Sequence, residues 1–404
     1  MISGAANDDP SCIVTYSIAG ASFGYLTLWT SLFALPLISA VQLMCSRLGM
    51  ISGRGLAGAV RVNYPKWVLF PVCAMLATAN IVTLGADLGG MGDVTEMITG
   101  VPSAICTALY AAGIAALLLF FSYSRIARIL RWLCLVLFVY IIAGFLSGPD
   151  WVDAAWSTFV PQVRWSREYL ATLVAIVGAT VSPYFLFWQA SQEVEAEYTL
   201  GRRTVAERRG ASRGELEASR IDVLAGSLVS KLITFFITLT TAATLFAHGQ
   251  KEIRTAKDVA AALQPFAGEG AYLLFALGVL GTGLLAVPVL AGSCAYAWSE
   301  ALRWRASLDE KPHFAPKFYT VLLLAVAFGL GFIYMGVDVV RMLFWASILN
   351  GLFAPICILL VVMLTSSVKV MGHRASRGWL RAGGWIAFLA TAAAALALII
   401  TSLV

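Results

Sequence analysis

Long apolar stretches separated by short polar turns run the length of this chain, and two of those stretches are interrupted. Uninterrupted segments long enough to cross a bilayer fall at about 25–47, 67–97, 101–121, 129–147, 220–247, 270–299, 317–335, 340–366 and 380–403. Two further segments are broken, one at about 1–19 by Asp8-Asp9-Pro10-Ser11-Cys12, the other at about 168–197 by Val181-Ser182-Pro183-Tyr184. Each break puts a proline and polar groups where a spanning helix should run on. That frees backbone carbonyls and amides, which is tolerable at membrane depth only where they line a cavity or bind something. The two prolines, at 10 and 183, stand 173 residues apart, and each opens a run of about five apolar segments. Breaks at matching places in two halves point to a substrate site between them.

The pattern therefore predicts an all-α polytopic membrane protein of about 11 spans, with spans 1 and 6 discontinuous. Spans 1–5 answer spans 6–10 and span 11 is appended, so the expected architecture is a 5+5 inverted repeat of the LeuT type. We expect one transmembrane domain over 1–404, with repeat one at about 1–150, repeat two at about 165–368 and the extra helix at about 380–403. Two polar stretches remain. The first, 198–219, alternates Arg and Glu and reads as a solvated linker. The second, Gln250 to Gly268, reads as a short amphipathic helix capping the outer vestibule.

Composition agrees: 60% of the 404 residues are hydrophobic and 12% charged, too apolar for a soluble domain of this size. With the N-terminus placed in the cytoplasm, the inside loops hold 21 of the 28 Lys and Arg, the outside loops six, and Lys231 sits in span 7. That bias fits the positive-inside rule and leaves the C-terminus outside. It also accounts for the net charge of +6 without nucleic acid. The seven cysteines stand singly at 12, 45, 73, 106, 134, 294 and 357, which argues against a zinc site or a disulfide framework. No separate leader is expected, since the first apolar stretch already carries the acidic break.

These residues resemble a known family. DDPSCIVTYSIAGASFGY (8–25) is similar to the first-helix signature of the natural resistance-associated macrophage protein family of divalent-metal transporters, DPGN followed by a helix ending AGxxFGY. GATVSPYFLFWQ (178–189) resembles that family's GATxMPHNLYLH, and SRLGMISGRGLA (46–57) and FALGVLGTGLLAVPVLAGSCA (275–295) resemble further family stretches. The resemblance implies a metal site built from the Asp and Asn of the first break, the Met of the second, and nearby carbonyls. Carried over by position, Asp9 keeps the carboxylate, Cys12 replaces the Asn, Ser182 replaces the Met, and the carbonyls are those of Ala6 and Ala179. Tyr184 and Gln189 stand where the family has histidines, and Asp87 is what remains of a TDxxE acidic pair. With Asn350 and Ser347 of span 10 they form the candidate ion path. The family's members begin earlier than this chain, whose first half-helix has at most two turns before Asp9.

The departures carry chemistry. A thioether favours soft transition metals, whereas Ser182 leaves a site of carboxylate, hydroxyl, carbonyls and water, all hard donors. Mg²⁺ is usually bound through one or two carboxylates with several waters kept. The expected substrates are therefore Mg²⁺ and Mn²⁺ as partly hydrated ions, as in the magnesium-transporting branch that the chain most resembles. Cys12 would soften the site if it ligates, and is a small space-filler if its thiol stays protonated. The three histidines, 248, 313 and 373, fall at helix ends or in loops, and helix 9 carries no arginine, so tight proton coupling is not expected. Alternatives are a proton-coupled Mn²⁺/Fe²⁺ importer of the same family, a sodium-coupled amino-acid symporter of the same architecture, and a non-transporting receptor. An amino-acid carboxylate would be repelled by Asp9.

Simpler structural roles stand beside these. Asp9 at a helix start is a favoured N-cap, although a carboxylate at membrane depth is functional by default. Asp8 reads as facing the aqueous approach or as a cap, Asp87 as the partner of a neighbouring hydroxyl, and Ser182 as bonded to a freed carbonyl. Tyr184 and Gln189 fit packing roles. The glycines of 278–293 read as close helix packing. We expect no enzyme activity, no cofactor, no nucleic acid and no obligatory protein partner. The expected setting is the lipid bilayer of a bacterial plasma membrane.

Overall fold

The computed structural model describes residues 8–120, 133–202, 204–268, 270–308 and 312–403, and every regular element among them is helical. The first half of span 1 with Ala6, the basic run Arg125, Arg128 and Arg131 that precedes span 5, and Arg203 lie outside the described residues.

The remaining half of span 1 is α1 (Pro10–Phe23), started by Asp9 as N-cap with Pro10 in the first turn, where a missing N–H costs nothing. Its 14 residues rise about 21 Å at about 1.5 Å each, too little to cross a membrane alone. Then follow α2 (Trp29–Ser52), a short α3 (Leu56–Asn63), α4 (Lys66–Thr99) and α5 (Ser103–Phe120). A 3₁₀ segment, Leu133–Phe138, leads into α6 (Val139–Leu146). Span 6 is α8 (Arg167–Thr180) and α9 (Pro183–Thr199), parted at Val181-Ser182. Span 7 is α11 (Arg213–Thr241), extended by a π-helical segment, Ala242–Phe246. Spans 8 to 11 are α14 (Gly270–Leu302), α15 (Pro316–Ile333), α16 (Val339–Ser366) and α18 (Gly378–Leu403). Among the described residues nine helices, with α8–α9 taken together, are long and apolar enough to cross a membrane. With the bent fifth span counted as one, the described residues hold up to ten, and α1 is the described half of the first span.

Span 5 differs from expectation. The chain does not simply leave the membrane after α6: it turns through 119° into α7 (Trp151–Phe159). Asp150 caps α7, its Oδ1 accepting from the amides of Val152 (3.0 Å) and Asp153 (3.1 Å). Ala154 and Ser157 face inward, while Trp151, Val152, Trp156 and Phe159 are exposed. The Asp150 amide donates to the Tyr25 hydroxyl (3.2 Å), just past the end of α1.

Helix α1 packs against α8, α11 and α16, while α4 is wrapped by α14, α15 and α16. The contact of α8 with α16 is a backbone contact: a Cβ on Gly178 would strike the Ser347 carbonyl, and one on Gly351 the Val174 carbonyl. Small residues thus bring the second break against span 10.

Both polar stretches are more structured than the sequence suggested. The described residues of the 198–219 stretch are largely exposed, as expected of a linker, but Arg208 and Ala211 are buried. The stretch forms α10 (Val205–Arg208), whose Arg208 sits 4.2 Å over the Tyr198 ring and donates through Nε to the Gly53 carbonyl at 3.4 Å. Arg202 pairs with Glu197 at 2.5 Å, and Arg374 donates to the Ala211 carbonyl. The arginines find carbonyls, a carboxylate and a ring, which charge alternation alone does not reveal. The Gln250–Gly268 stretch is two short helices, α12 (Ala256–Ala261) and α13 (Gln264–Ala267), because Pro265 cannot continue the hydrogen-bond ladder of α12. Val259, Ala260 and Leu263 are buried, with α12 resting on α4 and α14 and α13 on α14. Beneath α12, beside Pro10, Asp93 and Phe275, only about 10 Å³ is open, no more than a single water needs.

Candidate metal site between the two breaks

At the first break the chain enters α1 through Asp9, in extended backbone at φ −89°, ψ 170°. Its Oδ1 accepts from the Ser11 hydroxyl (2.5 Å) and the Cys12 amide (2.9 Å), so the capping role is real. Its Oδ2 accepts from the Tyr184 hydroxyl (3.0 Å), across the gap from the second break. Cys12 donates through Sγ to the Ala179 carbonyl (3.2 Å), so its thiol bridges the two breaks while protonated. Asp9, Cys12, Ala179 and Tyr184 are thereby brought together, all buried. Ser182 is beside them as N-cap of α9, but its hydroxyl donates to the Gly178 carbonyl (2.8 Å) and satisfies the break itself.

Asp87, from the middle of α4, lies within electrostatic reach of Asp9 and Tyr184 and is fully buried. The Ser11 amide faces it, yet neither carboxylate oxygen closes a hydrogen bond of good geometry. Among the described residues the expected hydroxyl partner is absent. One turn earlier on α4, Thr83 accepts from Asn350 Nδ2 (3.0 Å), while Asn350 Oδ1 has no partner. Ser347, also on α16, accepts from Thr15 of α1 (2.9 Å). Gln189 is not part of this group: it lies two turns into α9 and donates to Glu193 (3.2 Å).

A second cluster went unread in the sequence. Asp8 is buried, not solvent-facing, and accepts from the Ser230 hydroxyl (2.7 Å). Lys231 of α11 is 4% exposed and donates to Tyr16 and Thr180, each at 3.1 Å, and those two hydroxyls are 2.6 Å apart. One ammonium thus ties α1 to α8 within electrostatic reach of Asp8. The signal was available, since a lysine inside an apolar span is expensive and calls for a carboxylate. Fully ionised, Asp8, Asp9 and Asp87 set three negative charges against the one of Lys231, a net of −2 around the breaks.

Among the described residues no three His, Cys, Asp or Glu group tightly enough to hold a metal by themselves.

The chain is similar to the divalent metal cation transporter MntH of Klebsiella pneumoniae strain 342, 23% identical over 94% of this chain and 87% of that protein. The corresponding protein of a second Klebsiella pneumoniae strain is 24% identical. Its fold is similar to that of the Eremococcus coleocola manganese transporter bound to an aromatic bis-isothiourea compound, with a TM-score of 0.76 and 19% identity over 99% of this chain and 84% of that one. More distantly it is similar to inward-facing Mhp1 (TM-score 0.55, 11% identity, 99% of this chain, 90% of that one), in keeping with the LeuT-like architecture. The family model described as natural resistance-associated macrophage protein-like matches residues 1–401, and the chain belongs to that family.

Proposed function

We propose that this protein is a divalent-metal-cation transporter, not an enzyme, and that the ion crosses between the two breaks with Asp9 as its principal ligand. The observation that carries the reading is the Asp87 carboxylate, fully buried beside Asp9 without a closed hydrogen bond. A buried charge in that condition is costly unless a counter-charge arrives. Were all three carboxylates ionised, the net of −2 around the breaks would equal the charge of one divalent cation. Relatives named as divalent metal cation and manganese transporters support the substrate class.

In this proposal Asp9, the Ala179 carbonyl and Ser182 face the ion, directly or through water, and Ala6, the other carbonyl expected there, lies outside the described residues. The Ser182 hydroxyl and the Cys12 thiol let go of the carbonyls they now hold. The Asp87 and Asn350 oxygens meet the hydration shell, and Tyr184 steadies Asp9. The chain forms one transmembrane domain with repeats over about 1–150 and 165–368 and an extra helix over about 380–403. The basic loops set its N-terminus in the cytoplasm.

The finer proposal is that Mg²⁺ is carried as well as Mn²⁺, because position 182 offers oxygen where a thioether would select soft metals. In proteoliposomes Mg²⁺ should enter and should compete with Mn²⁺ at millimolar concentrations. Ser182→Met should tighten Mn²⁺ or Cd²⁺ binding about tenfold, or about 1.4 kcal/mol, and weaken Mg²⁺ entry. Parent protein in which Mg²⁺ neither moves nor competes would defeat the hard-donor argument.

We further propose that flux is not tied to protons. Position 184 is tyrosine, 189 is glutamine bonded away from the site, and 84 is leucine, so none of the three offers a group that titrates near neutrality. With a pH-sensitive dye inside the vesicles, metal entry should proceed without metal-dependent acidification beyond leak. Stoichiometric acidification would return the protein to the proton-coupled importers.

A further inference from the structure

Three loops meet at the face assigned above to the cytoplasm: the turn after α2, the segment around α10, and the chain leaving α14. Between them lies a cavity of about 270 Å³ whose walls carry Arg54, Arg61, Arg208, Arg303 and Arg305. That is the volume of about nine waters at ~30 Å³ each. Glu195 and Glu300 also line it, but both are engaged: Glu300 accepts from the Gly58 amide (2.8 Å) and the Ser191 hydroxyl, Glu195 from Tyr296 (3.2 Å) and Ser307. Among the described residues the lining thus carries five arginines against two glutamates. Arg54 and Arg303 make no ion pair among the described residues. Burial first, then the crowding of Arg209 and Arg208, holds the Arg54 guanidinium below its usual range, with Glu300 only partly opposing.

The second observation is independent. A groove of about 340 Å³, lined by Trp298, Leu302, Trp304, Val321, Leu324 and Phe328 among others, runs between α4, α14 and α15. Leu324 and Phe328 are 48% and 60% exposed, at a depth where the surrounding solvent is hydrocarbon. Trp304 forms a wall of both spaces, so the basic cavity and the apolar groove adjoin at its ring. Lys317 adds a further cation at that junction, 5.2 Å from the Trp304 ring.

Arginines near a membrane surface are ordinarily read as topology determinants, which needs neither a cavity nor a groove. Here a net positive hollow of headgroup size adjoins an acyl-chain channel. We propose that the two together are a binding site for one anionic phospholipid of the inner leaflet. Its phosphate is held by Arg54 and Arg303, the fork geometry of arginine matching phosphate oxygens, and one acyl chain lies along α15. Basic pockets between spanning helices on the cytoplasmic side take anionic headgroups by this electrostatic logic.

The test is native mass spectrometry of the full chain titrated with phosphatidylglycerol or phosphatidylcholine, alongside thermal shifts with glycerol 3-phosphate. One phosphatidylglycerol per chain should bind at least about tenfold more tightly than phosphatidylcholine, equivalent to about 1.4 kcal/mol. The double variant Arg54→Gln/Arg303→Gln should lose that preference, and Lys251→Gln, at the opposite face, should keep it. Leu324→Trp, at an exposed groove position that tolerates bulk, should reduce phosphatidylglycerol binding about fivefold whether or not the arginine variant folds. Undiminished binding in Leu324→Trp, or glycerol 3-phosphate stabilising the protein as well as the lipid does, would mean a free phosphate ester and overturn the lipid assignment. Equal binding of both lipids to the parent would overturn it too.

Discussion

Asp9→Asn should abolish divalent-cation uptake, by about 100-fold or more, while leaving the protein folded. Asparagine is as good an N-cap as aspartate, so the amide of Cys12 and the Ser11 hydroxyl keep the oxygen they reach, while the Tyr184 hydroxyl, on the other oxygen, meets an NH2 group and turns to accept from it. What disappears is the formal charge between the breaks, and a dication in a low-dielectric site needs one. A hundredfold loss corresponds to about 2.7 kcal/mol of lost stabilisation along the transport path. Asp9→Ala should lose the same uptake and about 1 kcal/mol of stability besides, because the cap goes with the charge. Uptake of radioactive Mn²⁺ into proteoliposomes, read beside a melting curve of the same preparation, separates the two effects. Uptake by Asp9→Asn at the parent rate would remove the site from between the breaks altogether.

The second large effect is expected at Lys231. Its ammonium is the single positive charge in the described cluster of Asp8, Asp9 and Asp87, and its two hydrogen bonds reach one discontinuous helix each. Lys231→Met keeps the length and removes the charge, leaving the carboxylates uncompensated. Removing one partner of a buried charged group costs about 3–5 kcal/mol, and we expect a loss near the lower figure. If the lysine acts by compensating Asp8, adding Asp8→Asn should return more than half of that loss. If it acts only as a strut between Tyr16 and Thr180, the second substitution should return nothing. Excess Mg²⁺ should stabilise Lys231→Met more than the parent, since the cation then supplies the missing charge.

Much of this architecture could be read from the chain because the bilayer dictates it. Span 10, expected at about 340–366, is α16 at Val339–Ser366, and the prolines that mark the two breaks start α1 and α9. Hydrocarbon thickness fixes length, and backbone polarity fixes where a helix is allowed to stop. The site was legible only as far as position in the chain determines contact. Asp9, Cys12, Ala179 and Tyr184 meet because each lies within three residues of its break. Gln189 sits in the same motif, but two turns along α9 it belongs with Glu193. Lys231 and Asp8 escaped because their partnership joins residues 223 apart through the crossing of α1 and α11, which periodicity does not encode. Ser182 was correctly read as able to hold a freed carbonyl, and that is the bond it makes in this conformation. The Arg-rich stretch is largely exposed as expected, yet charge alternation does not single out Arg208, which meets a ring and a carbonyl.

The sharp turn after α6 governs the depth at which all of this sits. Helix α7 leaves α6 at 119° and turns Trp151, Trp156 and Phe159 outward, and Trp165 follows a few residues later, 78% exposed. Indole rings settle at the boundary between headgroups and hydrocarbon, so this rim behaves as a waterline. Through the bond from Asp150 to Tyr25 the end of α1 is moored to it. In a bilayer that thins or thickens, the first break keeps its distance from that surface, and the adjustment falls on the opposite leaflet.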